Sequence, residues 1–317
     1  MKRHSREVSV AMAILLLAIL LAFAAPGYFS RENLTDLFLA NVPVLIVALG
    51  MTLVIIVGQI DISVGSIFAI CAVSAGLLAK SGMPALIAVL GACLTGTALG
   101  ALNGALVSYA RIPSIVVTLA SMVALRDALR WQTQGAWVQD LPAGFQWLGL
   151  PQAAYPALSL IVAVVLSLGM AWGLRNLAAG RCVYATGSNQ EAARLAGIHT
   201  SLVTFSVFGL MGALTGFAAA LNAVRFNQIP SNSGLGLEMK VIAAVVVGGA
   251  AITGGRGTIT GTVLGVILLG AIGPALTFLG LSAYWERAVQ GGIVLAAVTI
   301  DAVRQGKHGS NLAASHS

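Results

Sequence analysis

Ten carboxylates, four histidines and three cysteines are the side chains in this 317-residue sequence that most readily hold a metal or move a proton. His4, His199, His308 and His316 lie near the termini or in a polar stretch, with no nucleophile partner and no second ligand at metal spacing. Cys71, Cys93 and Cys182 are odd in number and show no ligand spacing, so neither a disulfide framework nor a metal site is expected. A phosphate-cradling loop ends in Gly-Lys-Ser/Thr. The only Gly-Lys pair here, Gly306-Lys307, is followed by His308. No catalytic, cofactor-binding or metal residues are assigned.

The acids are Glu7, Glu32, Asp36, Asp61, Asp127, Asp140, Glu191, Glu238, Glu286 and Asp301. Nearly all fall at the ends of apolar runs. Asp61 is the one to weigh, because a charge at the centre of a bilayer costs at least ~2.5–3.5 kcal/mol and is kept there for a reason. It stands near the end of one run and just before the next. There Asp61 with Ser63 can cap the helix that follows, and this reading stands beside direct solute contact. Asn103, inside a later run, fits an interhelical hydrogen bond or a polar path. Glu238 is a second candidate for that path.

These residues need elements to hold them, and composition says which. Hydrophobic residues make up 58% of the chain and charged ones 9%, where a soluble domain carries about a quarter. Mean hydropathy is +0.94. With 37 glycines, close helix approach in lipid is within reach. An all-α membrane bundle of about ten transmembrane helices is expected. The runs are 8–29, 37–57, 65–78, 84–109, 113–129, 156–174, 202–223, 239–253, 258–278 and 284–301. The first, preceded by Lys2, Arg3 and Arg6, also resembles a signal peptide, but it exceeds a usual signal core and has a poor cleavage context.

A cytoplasmic start fixes the other loops by alternation. Lys2, Arg3, Arg6, Arg111, Arg175, Arg181, Arg194, Arg256, Arg304 and Lys307 then lie at cytoplasmic ends, against Arg31, Lys80, Arg126, Arg130, Arg225, Lys240 and Arg287 outside. Both termini are cytoplasmic in this reading. Trp131, Trp137, Phe145 and Trp147 mark an outer loop at headgroup level; its Gly135–Pro142 string suits an interfacial anchor or a protein dock. The net charge of +7 is scattered singly, so no nucleic-acid partner is expected. One domain, 1–317, is read, membrane-embedded over about 8–303 with tails 1–7 and 304–317.

The segment 175–199 is the most polar internal stretch. Ser188 and Glu191 stand at the spacing of a capping box. Ala192, Ala193, Arg194 and Leu195 favour helix, and Gly197 suits a left-handed stop. A two-turn helix is expected in cytoplasmic solvent. So short a helix does not persist alone, which points to a docked partner, with a capped surface loop as the plainer alternative.

Glu191-Ala192-Ala193 with Gly197 four residues on resembles the coupling loop of bacterial ABC importer permeases. With Tyr184-Ala185-Thr186-Gly187 ahead of it, the string is similar to the ribose, xylose, arabinose and galactose-type permeases. Gly58-Gln59-Ile60-Asp61-Ile62-Ser63-Val64-Gly65 resembles that family's Gly-Gly-Ile-Asp-Leu-Ser-Val-Gly signature, with Gln59 replacing a glycine. Gly236 to Lys240, Gly248-Gly249 and Gly254 to Gly257 form a third block, and the likeness spans about residues 37–303. The outer-loop string is closer to the autoinducer-2 and rhamnose permeases. The resemblance implies a permease for a monosaccharide or sugar-like solute in the bacterial inner membrane, without a bound cofactor. It implies cytoplasmic ATPase subunits, a periplasmic solute-binding protein and a second permease as partners. Ser188, Glu191, Ala192, Ala193 and Gly197 would form the ATPase-coupling loop, and Gly58, Asp61, Ser63 and Gly65 the gate region. An ATP-independent sugar–proton symporter is the alternative, and it needs a proton-carrying acid buried at mid-membrane.

Overall fold

The computed structural model describes residues 5–282 and, beyond them, 284–286, 288–292, 295 and 299. Among these the chain is all-helical, apart from one isolated bridge between Val138 and Ile229. The α-helices are α1 (Ser5–Ala24), α2 (Arg31–Ile56), α3 (Val64–Lys80), α4 (Ala85–Ser108), α5 (Ser114–Thr133), α6 (Tyr155–Asn176), α7 (Ala178–Ser188), α8 (Gln190–Leu195), α9 (Thr200–Ala223), α10 (Leu237–Val247) and α11 (Ile259–Phe278). Six of them, α1, α2, α4, α6, α9 and α11, are long and apolar enough to cross a bilayer.

Local chemistry sets the ends. Ser30 accepts the Asn33 amide to open α2, and Thr258 accepts the Gly261 amide to open α11. The first run is not one helix to Phe29. Pro26 cannot continue the α1 ladder, so α1 stops at Ala24 and Pro26–Phe29 forms a 3-10 turn. The eighth run is not a full span either. α10 has 11 residues and rises about 16 Å, roughly half of a bilayer core. Gly249, Gly254 and Gly255 then take positive φ and turn the chain away. The tenth run, 284–301, is described in part, and residues 285–286, 288–292, 295 and 299 within it are helical.

The centre is α2 packed on α9, with α4 against α9 and α11 against α10 and α2. Glycines let these backbones touch. A Cβ on Gly96 would strike the Gly212 carbonyl, one on Gly100 the Phe208 carbonyl, and one on Gly216 the Ala92 carbonyl. Gly265 meets the Ala244 carbonyl of α10 in the same way. In lipid, where burial of apolar surface gives no net drive, such contact is what holds helices together. α1 lies outside, with Leu21 buried, like Tyr28 in the turn that follows, and Leu15, Leu16 and Phe23 facing outward, as lipid contact requires.

The segment after α5 is clamped rather than free. Val138 and Ile229 exchange both backbone hydrogen bonds (3.0 and 2.8 Å), and the Trp147 amide donates to the Val224 carbonyl at 2.8 Å. Trp131 and Trp137 are exposed as an interfacial girdle requires, but Phe145 is buried and Trp147 packs edge-on against Tyr155.

Candidate functional site

Gly58 at φ +78° turns the chain out of α2, and the irregular 58–63 connection leads into α3. α5 holds it there. The Ile60 amide donates to Ser114 Oγ at 3.3 Å, and the Thr118 hydroxyl donates to the Ile60 carbonyl at 3.4 Å.

Asp61 is wholly buried. Its Oδ1 accepts both the amide (2.9 Å) and the hydroxyl (2.6 Å) of Ser63. This is a turn closed ahead of α3, since Ser63 itself holds the N-cap position and makes no side-chain capping bond. The expected cap on the first helical turn is thus moved out by one step. Ser63 Oγ in turn accepts from Asn103 Nδ2 (2.9 Å), and Ser121 donates to Asn103 Oδ1 (2.6 Å). Asn103 therefore ties α4 to α5 and to the start of α3.

Above this layer α3 and α10 begin side by side. Gly65, on the first turn of α3, has no room for a side chain: a Cβ would meet Glu238 Oε2, the Gly234 carbonyl at 2.5 Å and Arg126 Nη2 at 3.2 Å. Glu238 opens α10 and takes the Gly236 amide on Oε1 at 3.2 Å. Arg126, placed at an outer end from sequence, instead reaches inward from α5 and is buried.

The far end of the bundle carries α7 and α8. Two helices stand where one was expected. Ser188 is the last residue of α7, so it cannot also start the next helix. Asn189, in extended geometry, accepts the Ala192 amide at 2.9 Å and caps α8. The capping box of Ser188 with Glu191 is therefore not formed. Glu191 pairs instead with Arg194 at 3.3 Å on the exposed face. Ala192 is exposed and Ala193 buried. Gly197 takes φ +84°, with the Ile198 amide donating to the Ala193 carbonyl.

α7 lies directly on the ends of two other elements. A Cβ on Gly187 would fall on the Ile56 carbonyl, at the end of α2. That carbonyl already accepts the Gly255 amide at 2.8 Å. The Tyr184 hydroxyl donates to the Gly257 carbonyl at 2.7 Å. A Cβ on Gly255 would stand 2.8 Å from both Cα and Oγ of Ser188. On α8, Leu195 is 82% exposed, an apolar side chain at the tip of a helix too short to stand alone. Beside it a polar cleft of about 510 Å³ is lined by Gln59, Arg111, Gln190, Glu191 and Arg194 among others.

Sequence reasoning missed Arg126, Ser121, Asn189 and the Gly187 contact. Arg126 had a signal, being a charge inside the 113–129 run.

Broken helices meeting at a buried polar layer, inside a bundle with an outward apolar surface, define a membrane permease. Residues 33–298 match the family described as the permease component of branched-chain amino acid transport systems, and the chain belongs to that family. It is 38% identical over 299 residues to the autoinducer 2 import system permease protein LsrC of Yersinia pseudotuberculosis, covering 94% of this chain and 85% of that one. The proteins of the same name from Escherichia coli O157:H7 and Yersinia pestis are similar at 36% and 37%, again over 94% of this chain and over 87% and 85% of theirs. No solved structure matches. The chain is thus the transport component of an import system, a multi-pass inner-membrane protein and not an enzyme.

Proposed function

We propose that this chain conducts a sugar-like solute of the autoinducer 2 type inward, driven by ATP hydrolysed on separate cytoplasmic subunits. The observation that carries the reading is the likeness to autoinducer 2 import permeases over nearly the whole chain. In this reading the bundle is one domain of about ten spans with both termini cytoplasmic. A periplasmic binding protein delivers the solute, and a second permease, identical or related, completes the path.

The α7–α8 pair then faces the cytoplasm. Ser188, Glu191, Ala192 and Gly197 belong to the surface that meets the ATPase, with exposed Leu195 as its apolar contact and buried Ala193 seating α8 on the bundle. Movement of α8 is carried by α7 to Ile56 and Gly255. Gly58, Asp61, Ser63 and Gly65 form the gate region these contacts reach, and Asn103 and Glu238 border the solute path.

Reconstituted alone in vesicles under an imposed proton gradient, the chain accumulates no autoinducer 2. Adding the ATPase subunit, the binding protein and any second permease gives uptake that needs ATP and survives a protonophore. Accumulation by the isolated chain that collapses with the proton gradient would overturn the reading in favour of proton symport.

A further inference from the structure

Arg126 and Glu238 are each 8% exposed, yet Nη1 and Nη2 of the arginine and Oε2 of the glutamate have no hydrogen-bond partner. A buried charged group left unpaired is costly, and the simplest economy would be a direct ion pair. The two come close enough for one methyl group on Gly65 to touch both. No hydrogen bond joins them. Arg126 Nη2 and Glu238 Oε2, both unpaired, therefore face each other across the bare backbone of Gly65.

Placement supports a functional reason. α10 has 11 residues and rises about 16 Å, so Glu238 at its start lies roughly half the depth of a ~30 Å core from its other end. The first turns of α3 and α10 meet here, with a Cβ on Gly234 only 2.7 Å from the Gly65 carbonyl oxygen. Interrupted helices whose starts meet at mid-depth are where transporters hold polar cargo. A small anion would suit Arg126 but be repelled by Glu238, and a cation the reverse. A neutral polyol suits both, because each hydroxyl donates and accepts.

We infer that Arg126 and Glu238 are the solute-contacting pair of the path: one hydroxyl of a neutral polyhydroxylated solute donates to Glu238 Oε2, and a neighbouring oxygen accepts from Arg126 Nη1 or Nη2. Gly65, having no side chain, lets the two groups come this close. This rests on the importer reading above and adds the residues that choose the cargo.

The test is uptake by the full reconstituted importer of autoinducer 2, D-ribose and the 2-, 3- and 5-deoxy forms of ribose. The wild type, Glu238→Gln, Arg126→Gln and the milder Glu238→Asp and Arg126→Lys are compared. The wild type discriminates at least tenfold against one deoxy form. That ratio falls to within about twofold in the variant that lost the partner of the missing hydroxyl, while the ratios for other positions stay put. A purely structural role lowers all solutes together. Unchanged ratios in every variant that assembles with its ATPase would overturn the inference. So would recovery of wild-type uptake and ratios by the charge swap Arg126→Glu with Glu238→Arg, which marks a simple ion pair. If the wild type moves no solute with ATP, the importer reading itself fails and takes this one with it.

Discussion

Gly187→Ala tests the coupling contact most directly. The added carbon falls on the Ile56 carbonyl and stands 2.8 Å from the Gly255 amide, so the clash is with backbone on both sides. No rotamer change relieves it. Overpacking of this kind costs about 1–3 kcal/mol. Forcing apart the Gly255–Ile56 hydrogen bond leaves buried peptide groups unpaired, a further ~1–3 kcal/mol. Even the lower ends combined are about 2 kcal/mol, which at ~1.4 kcal/mol per tenfold displaces the α7 contact by more than an order of magnitude. Uptake by the reconstituted importer should fall at least tenfold, while the variant still reaches the membrane, since α7 lies outside the long apolar helices. Gly209→Ala is the control. It sits in a transmembrane helix, but its added carbon meets nothing within 4 Å, and uptake should stay within about twofold of wild type. A Gly187→Ala importer with wild-type uptake and wild-type coupled ATP hydrolysis refutes the argument.

Three more outcomes are expected. Glu191→Lys abolishes uptake with insertion intact: its pair with Arg194 is exposed and worth little to folding (about 0–1 kcal/mol), so normal transport with stimulated ATPase would remove Glu191 from the coupling surface. Asn103→Ala strands the Ser121 hydroxyl, while Ser63 Oγ keeps Asp61, and should cost about 1–3 kcal/mol, read as a lowered Tm of the purified permease; an unchanged Tm would mean the network holds nothing. A cysteine at Asn189 reacts only with reagent that reaches the cytoplasm and one at Gln139 only from outside, and labelling of both from one side would overturn the helix count between them.

The long apolar helices were legible because hydropathy is a local property: α2, α4, α6, α9 and α11 coincide with runs read from composition alone. Gly197 was legible for the same reason, since a helix stop needs only its own glycine. α10 was not. The 239–253 run is apolar and glycine-rich throughout, and nothing in hydropathy says at which glycine φ changes sign. The choice of Asn189 over Ser188 as cap was equally hidden. Both side chains can accept an amide, and only the length of α7 decides which one is free to do so. Arg126, about two turns from the end of α5, read as interfacial. Its inward course depends on room at Gly65, 61 positions earlier in the chain, which is a tertiary fact.

The two loops that α7 touches are the ones that break the helices around the polar layer, and this adjacency has mechanical content. Ile56 is the last residue of α2, two positions before the left-handed Gly58. Gly255 lies beyond α10, beside the left-handed Gly249 and Gly254. Side-chain contacts absorb small displacements by changing rotamer, but the Gly187–Ile56 and Gly255–Ile56 contacts are backbone on backbone and pass them on. Glycines flanking the contact are the positions best able to take up the resulting φ/ψ change. On one side the displaced segment leads within a few residues to Asp61 and Ser63, and so to Asn103 and Ser121. On the other it leads through α10, too short to bend much, to Glu238. In the proposed reading a push at α8 would reach both edges of the polar layer at once, by routes of rigid helix and hydrogen bonds. That is why wedging the backbone contact at Gly187 should uncouple the protein, while filling the open space at Gly209 should not.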